Sequence, residues 1–138
     1  MNGTPLLLAI VGHLVGDYLL QNDWMALNKK RKGWDGFVPC SFHAFFWTLA
    51  VCLFSGWWNL EVWGFLFFAH FFQDRTKVVG WWMQKIGQRQ FMKPDEFCWG
   101  DSLNHDPHVR VGLGPWSVIV VDNVWHIVSL WVVWRFIA

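Results

Sequence analysis

Three histidine–aspartate pairs recur along the chain at a spacing of four: His13 with Asp17 in HLVGDYLLQ, His70 with Asp74 in HFFQDRTK, and Asp122 with His126 in DNVWH. Residues four apart on a helix have Cβ atoms about 5–6 Å apart, so each pair can present an imidazole and a carboxylate on one side. Lys77 continues the second pair at i+7, and a lone His43 stands near the start of another apolar run. An ionised Asp deep in an apolar membrane segment costs on the order of 3 kcal/mol without a partner or water. His13, Asp17, His43, His70, Asp74, Asp122 and His126 together offer enough ligands for one divalent metal with open positions, or for two about 4 Å apart. Mixed His and carboxylate ligation suits Zn, Mn or Fe alike. Some carboxylates would act one step out, accepting an imidazole N–H and fixing which nitrogen faces the ion.

Plainer readings exist for each pair alone. One His–Asp pair in a membrane helix serves as an interhelical hydrogen bond worth about 0.6 kcal/mol. Paired His can also ligate haem, but haem calls for no Asp beside each His. The recurrence of the pairs is what points to a metal or proton-handling site. The segment DSLNHDPHVR, with Asp101, His105, Asp106 and His108, is irregularly spaced and reads as a solvated loop.

The elements that must position these groups follow from composition. Hydrophobic residues make up 54% of the chain and charged ones 15%, against about 25% charged in an ordinary soluble domain. Thirteen Trp and thirteen Phe against one Tyr suit a bilayer, where an indole ring sits in apolar surroundings with its N–H at the headgroups. The net charge of +1 carries no signal for nucleic acid. MNGTP has no basic leader or small-residue cleavage site, so the first apolar run is expected to belong to the mature protein. Cys40, Cys52 and Cys98 form no CxxC, and no disulfide is expected.

A hydrocarbon core of about 30 Å needs about 20 residues. The apolar runs at 41–58 and 115–136 fit, whereas those at 5–20 and 60–72 are short. The core helices of a soluble protein would share those lengths, and the distribution of charge separates the two cases. Lys29, Lys30, Arg31 and Lys32 follow the first run, and Arg75, Lys77, Lys85, Arg89, Lys93 and Arg110 follow the third. The remaining connection has no basic residue, and Arg135 lies near the C-terminus. Basic residues thus alternate ten to one, which places both basic connections in the cytoplasm and both termini outside.

The expectation is an all-α, polytopic protein of the bacterial inner membrane, one domain over 1–138. It would have about four transmembrane helices (5–21, 41–58, 60–77, 115–136), an interfacial helix at 78–91 and a cytoplasmic loop at 92–114. In that topology all seven His and Asp side chains share the inner half of the bilayer. Asp122 and His126, for example, fall about 10–17 Å in from Pro115 at 1.5 Å per residue.

The order of these motifs also resembles a known family. H-x3-D-x3-Q, a lone H, H-x3-D-x2-K and D-Q-x2-H map onto His13, Asp17 and Gln21, onto His43, onto His70, Asp74 and Lys77, and onto Asp122 and His126. That pattern is similar to the DUF3307 family of small bacterial and phage membrane proteins, a domain of unknown function. Asn123 stands where the family has Gln, and the Trp richness and the 97–114 stretch are not family features. The resemblance implies the topology and the site, and it supplies no activity.

By a looser analogy to inner-membrane metal-dependent hydrolases, the expected chemistry is metal-assisted hydrolysis of a lipid or lipid-linked phosphate. Asp17 and Asp122 would be the catalytic carboxylates, and Lys77, with Arg75 beside it, would hold the phosphate. A snorkelling cation at a helix end is the plain alternative for Lys77. Two readings from other classes stand beside this one: an ion- or proton-handling transport protein, and a non-catalytic subunit or modulator of a membrane complex. The partners implied are the bilayer, a lipid phosphate and a homo-oligomeric or membrane-complex neighbour. No nucleophile motif, phosphate loop or nucleotide fingerprint points elsewhere.

Overall fold

A computed structural model describes residues 3–85 and 114–138, and every element among them is helical. The helices are α1 (Thr4–Tyr18), α2 (Asp23–Asn28), α3 (Trp34–Ser55), α4 (Leu60–Arg75), α5 (Val78–Lys85) and α6 (Gly114–Phe136). The expected interfacial helix is described only as α5. Positions 86–91 and positions 92–113 of the expected 92–114 loop, with Cys98, Asp101, His105, Asp106 and His108, lie outside the described residues.

Helix ends follow local chemistry. Pro5 sits in the first turn of α1, where its missing N–H costs no hydrogen bond. The helix stops at Tyr18, short of the expected residue 21, because Asn22 opens a new one: its side chain accepts from the Met25 N–H at 2.9 Å. This α2, six residues long, is too short to show a period, and the sequence reading left it inside the basic connection. Likewise α3 begins at Trp34 rather than 41 and runs through Pro39, which removes a single i→i−4 bond near the helix start. It ends at Gly56, whose φ of 77° is the left-handed cap that glycine adopts without strain. α4 is likewise shorter than the expected 60–77. Asn59 caps its start, and it stops at Arg75 because Thr76 is extended (φ −104°, ψ 170°), with its hydroxyl donating to the Phe72 carbonyl. Lys77 therefore leaves the helical stripe of His70 and Asp74.

The four longer helices pack as an antiparallel ring, α1 on α3, α3 on α4, and α6 against both α1 and α4. Two glycines let α1 lie directly on α3. A Cβ at Gly12 would stand 2.8 Å from the Ala50 carbonyl oxygen, and one at Gly16 would stand 2.7 Å from Cδ1 of Trp47. Small residues four apart allow this approach of backbones. One end of the ring is filled by Ala9, Val51, Cys52, Trp57, Val62, Leu66, Leu130 and Val133. The other end is made by the last turns of α1 and α4 and the first halves of α3 and α6, and it holds the polar groups.

Beside this apolar core, imidazoles are buried while many large apolar side chains face outward. His13, His43, His70 and His126 are each at most 1% exposed, while Leu53 is 60% and Phe68 is 68% exposed. Contiguous apolar surface of this kind needs a partner or lipid to cover it. Two helices, α3 and the Val118–Phe136 part of α6, are long and apolar enough to cross a membrane. α1, with 15 residues, and α4, with 16, are shorter than the about 20 residues a span requires, so two of the four expected spans pass on length and composition.

Candidate metal centre

Asp17 and Asp74 each occupy the last turn of their helix, where the macrodipole disfavours an anion and favours a nearby cation by about 0.3–1 kcal/mol. His43, on the third turn of the antiparallel α3, places its Nε2 between them, 3.3 Å from Asp17 Oδ1 and 3.0 Å from Asp74 Oδ2. His70 Nε2 lies 3.0 Å from His43 Nε2, 3.7 Å from Asp17 Oδ1 and 3.4 Å from Asp74 Oδ2. Only one proton fits between two nitrogens at that distance, so at least one imidazole offers a lone pair to the cluster.

Asp17, His43 and His70 form one triad that could hold a metal, with atom separations of 3.3, 3.0 and 3.7 Å. A tetrahedral ion with bonds of about 2.0–2.1 Å holds its ligands about 3.3–3.4 Å apart. The triad thus comes near one face of a tetrahedron, with Asp74 Oδ2 standing 3.0 Å from His43 Nε2 and 3.4 Å from His70 Nε2 beside it. A second group, His70, Asp74 and His126, also converges, its ligand atoms all within 4.8 Å of one another, and the two groups share His70. His126 is oriented for such a role. Its Nδ1–H donates to the Asp122 carbonyl at 2.7 Å, leaving Nε2 as a bare lone pair, buried and without a hydrogen-bond partner among the described residues. An imidazole anchored through its far nitrogen to a carbonyl is the usual posture of a metal ligand.

The other expected ligands are placed differently. His13 is spent: its Nδ1 accepts from Trp47 Nε1–H at 3.0 Å and its Nε2–H donates to Asn123 Oδ1 at 2.9 Å. The direction is fixed by Asn123, whose amide nitrogen already donates to the Tyr18 hydroxyl and the Ile119 carbonyl. His13 is therefore locked at both ring nitrogens, and Asp17 Oδ2 lies 3.1 Å from its Nδ1. Two acceptors that close call for a proton or a cation beside them. The Asp122 carboxylate is about a third exposed and 3.9 Å from His126 Nδ1, so Asp122 serves the cluster through its main chain. Lys77 is exposed, beyond the end of α4, and pairs with no acid among the described residues. Arg75 spends its guanidinium on the carbonyls of Lys29, Arg31 and Gly33.

That clamp delivers a residue the sequence reading missed. Lys29, taken for part of a solvated basic block, turns inward, and its Nζ lies 2.8 Å from Asp74 Oδ2. Burial by itself would lower its pKa, but the Asp74 carboxylate outweighs burial and holds it above the ordinary lysine value. Nothing in the spacing marks Lys29 out from its three basic neighbours. Trp47 was also missed, although it stands at i+4 from His43. Its ring stacks on His70 at 4.1 Å between centroids and its N–H fixes His13. Gln73 ties α4 to α6 by donating to Ser129 at 2.8 Å.

A family described as "Protein of unknown function (DUF3307)" matches residues 5–138, nearly the whole chain. No curated protein and no solved structure matches.

Proposed function

The chain belongs to the DUF3307 family, and we propose that it is a multi-pass membrane protein holding a divalent metal ion between its helices for hydrolysis of a lipid or lipid-linked phosphate. The observation that carries this is the Asp17–His43–His70 triad, three ligand atoms spaced near one face of a tetrahedron. Structural zinc sites close all four positions with protein, whereas catalytic ones keep one for water or substrate. A bound ion of this kind supplies a water acidified to near neutral pH and a Lewis acid for a phosphoryl oxygen. The chain's own part is to hold Asp17, His43 and His70 at fixed separations, lock His13 behind Asp17 and keep the imidazoles dry.

The membrane reading rests on the apolar exterior and the alternation of basic residues. α1 and α4 would span as members of the ring, their shortness accommodated by local thinning of the bilayer. Both basic connections would then be cytoplasmic, with the site in the inner half. An open cleft of about 310 Å³, lined by Trp24, Asn28, Arg31, Trp34 and Asp35, lies at that end.

Metal analysis of detergent-purified protein tests the site. The expected result is stoichiometric Zn, Mn or Fe in wild type and its loss in His43→Ala; metal-free wild type would overturn the proposal. Turnover of a lipid phosphate by the metal-loaded protein tests the reaction. A second reading, ion handling, is favoured by the burial of all four imidazoles and by the sharing of His70 between two ligand groups. Metal flux into vesicles without turnover would select it.

A further inference from the structure

The two ligand groups cannot be filled at once through the same His70 nitrogen, because one lone pair binds one ion. Yet the His70–Asp74–His126 group has features that the first leaves unexplained. His126 Nε2 is buried and unpartnered, and the proton on its other nitrogen is committed to a carbonyl, so it can only accept. Asp74 is 3% exposed and needs a positive partner, which Lys29 supplies at 2.8 Å. The ammonium reaches the cluster on a segment that Arg75 clamps to the end of α4 by three main-chain carbonyls.

Resting on the metal reading above, we propose that His70, Asp74 and His126 form a second cation position, which the Lys29 ammonium occupies from the Asp74 side and which a divalent ion takes when Lys29 withdraws. The bundle then offers one ion two alternative seats that share His70. With Lys29 in place, the ion sits against Asp17 and His43, and the ammonium neutralises Asp74. With Lys29 out, Asp74 is free to ligate and His126 Nε2 gains a partner. Movement between the seats exchanges Asp17 and His43 for Asp74 and His126 while His70 stays bound. The Asp74 oxygen that holds the ammonium at 2.8 Å cannot ligate the ion at the same time, so Lys29 gates the second seat.

The test is Co²⁺ binding to purified full-length protein, read by visible absorption and titration, in a set of variants. In wild type, Asp17→Asn should weaken binding at least about tenfold, and His126→Ala should leave it within about threefold, which is about 0.7 kcal/mol. In a Lys29→Gln background the pattern should cross over: His126→Ala becomes the costly change, Asp17→Asn costs less, and the absorption spectrum shifts with the new ligand set. Lys29→Arg, which retains the charge, should behave as wild type and guards against a folding defect in Lys29→Gln. If Co²⁺ binds wild type but His126→Ala is equally silent in both backgrounds, the second seat is wrong and the first stands. If Co²⁺ binds neither background, the metal reading itself falls.

Discussion

The contact between α1 and α3 sets the separation of Asp17 from His43, and Gly16→Ala tests it directly. The added Cβ would meet Trp47 Cδ1 at 2.7 Å, its Cα at 2.9 Å and its Cγ at 3.1 Å. Ordinary van der Waals contact begins near 3.4 Å, so the neighbour must retreat by roughly 0.5–0.7 Å. Trp47 cannot rotate away without breaking its hydrogen bond to His13 and its stack on His70, and its Cα belongs to the backbone. The helices must part instead, carrying His13 and Asp17 with α1. The 3.3 Å separation of Asp17 Oδ1 from His43 Nε2 then opens toward about 4 Å, wider than a tetrahedral face allows. Overpacking of this kind costs about 1–3 kcal/mol, so thermal unfolding in detergent should come earlier and divalent-metal affinity should fall by about tenfold or more. Gly64→Ala is the control, since its Cβ meets nothing within 4 Å, and a helix former replaces glycine there. A Gly16→Ala protein that melts and binds metal like Gly64→Ala would refute both the close packing and the role given to it.

Three further outcomes follow from the geometry. Lys77→Ala should leave metal content and melting unchanged, because Lys77 is exposed and off the α4 stripe, whereas Lys29→Ala should lower the melting temperature by leaving Asp74 buried without its cation. Lys29 has a raised pKa in the folded state, so its contribution is fully present below the ordinary lysine value of 10.5 and is lost as pH rises through the higher folded value. Alkaline unfolding curves should therefore fall more steeply for wild type than for Lys29→Gln in that range, and coincident curves would count against the buried pair. Single cysteines placed at Lys32 and Asn59, in a background lacking native Cys, should react with a membrane-impermeant thiol reagent from opposite sides of the membrane. Labelling of both from one side would sink the four-span reading.

Much of the helical architecture was legible because helix periodicity and capping are local. The starts near Pro5 and at Leu60 were legible in the sequence, and the His–Asp pairs announce a shared face at i and i+4, whereas Gly56 ends its helix before the expected residue 58. The failures were local as well. The helix expected from residue 41 starts at Trp34, with Pro39 costing one hydrogen bond inside it, and Thr76 ends α4 before Lys77 can join its stripe. α2 was invisible at six residues, and with it the turn that directs Lys29 inward.

The sequence by itself determined that this chain is helical, rich in apolar residues, a DUF3307 member, and equipped with three His–Asp pairs at a spacing of four. Tertiary structure decided which of those groups are available. Asn123, 110 residues from His13, and Trp47, 34 residues away, occupy both of its nitrogens. Lys29 finds Asp74 across 45 residues, and His70 falls where two ligand groups meet. A period of 3.6 fixes which residues share a face of one helix, but a lone pair is free or taken according to what stands opposite it on another.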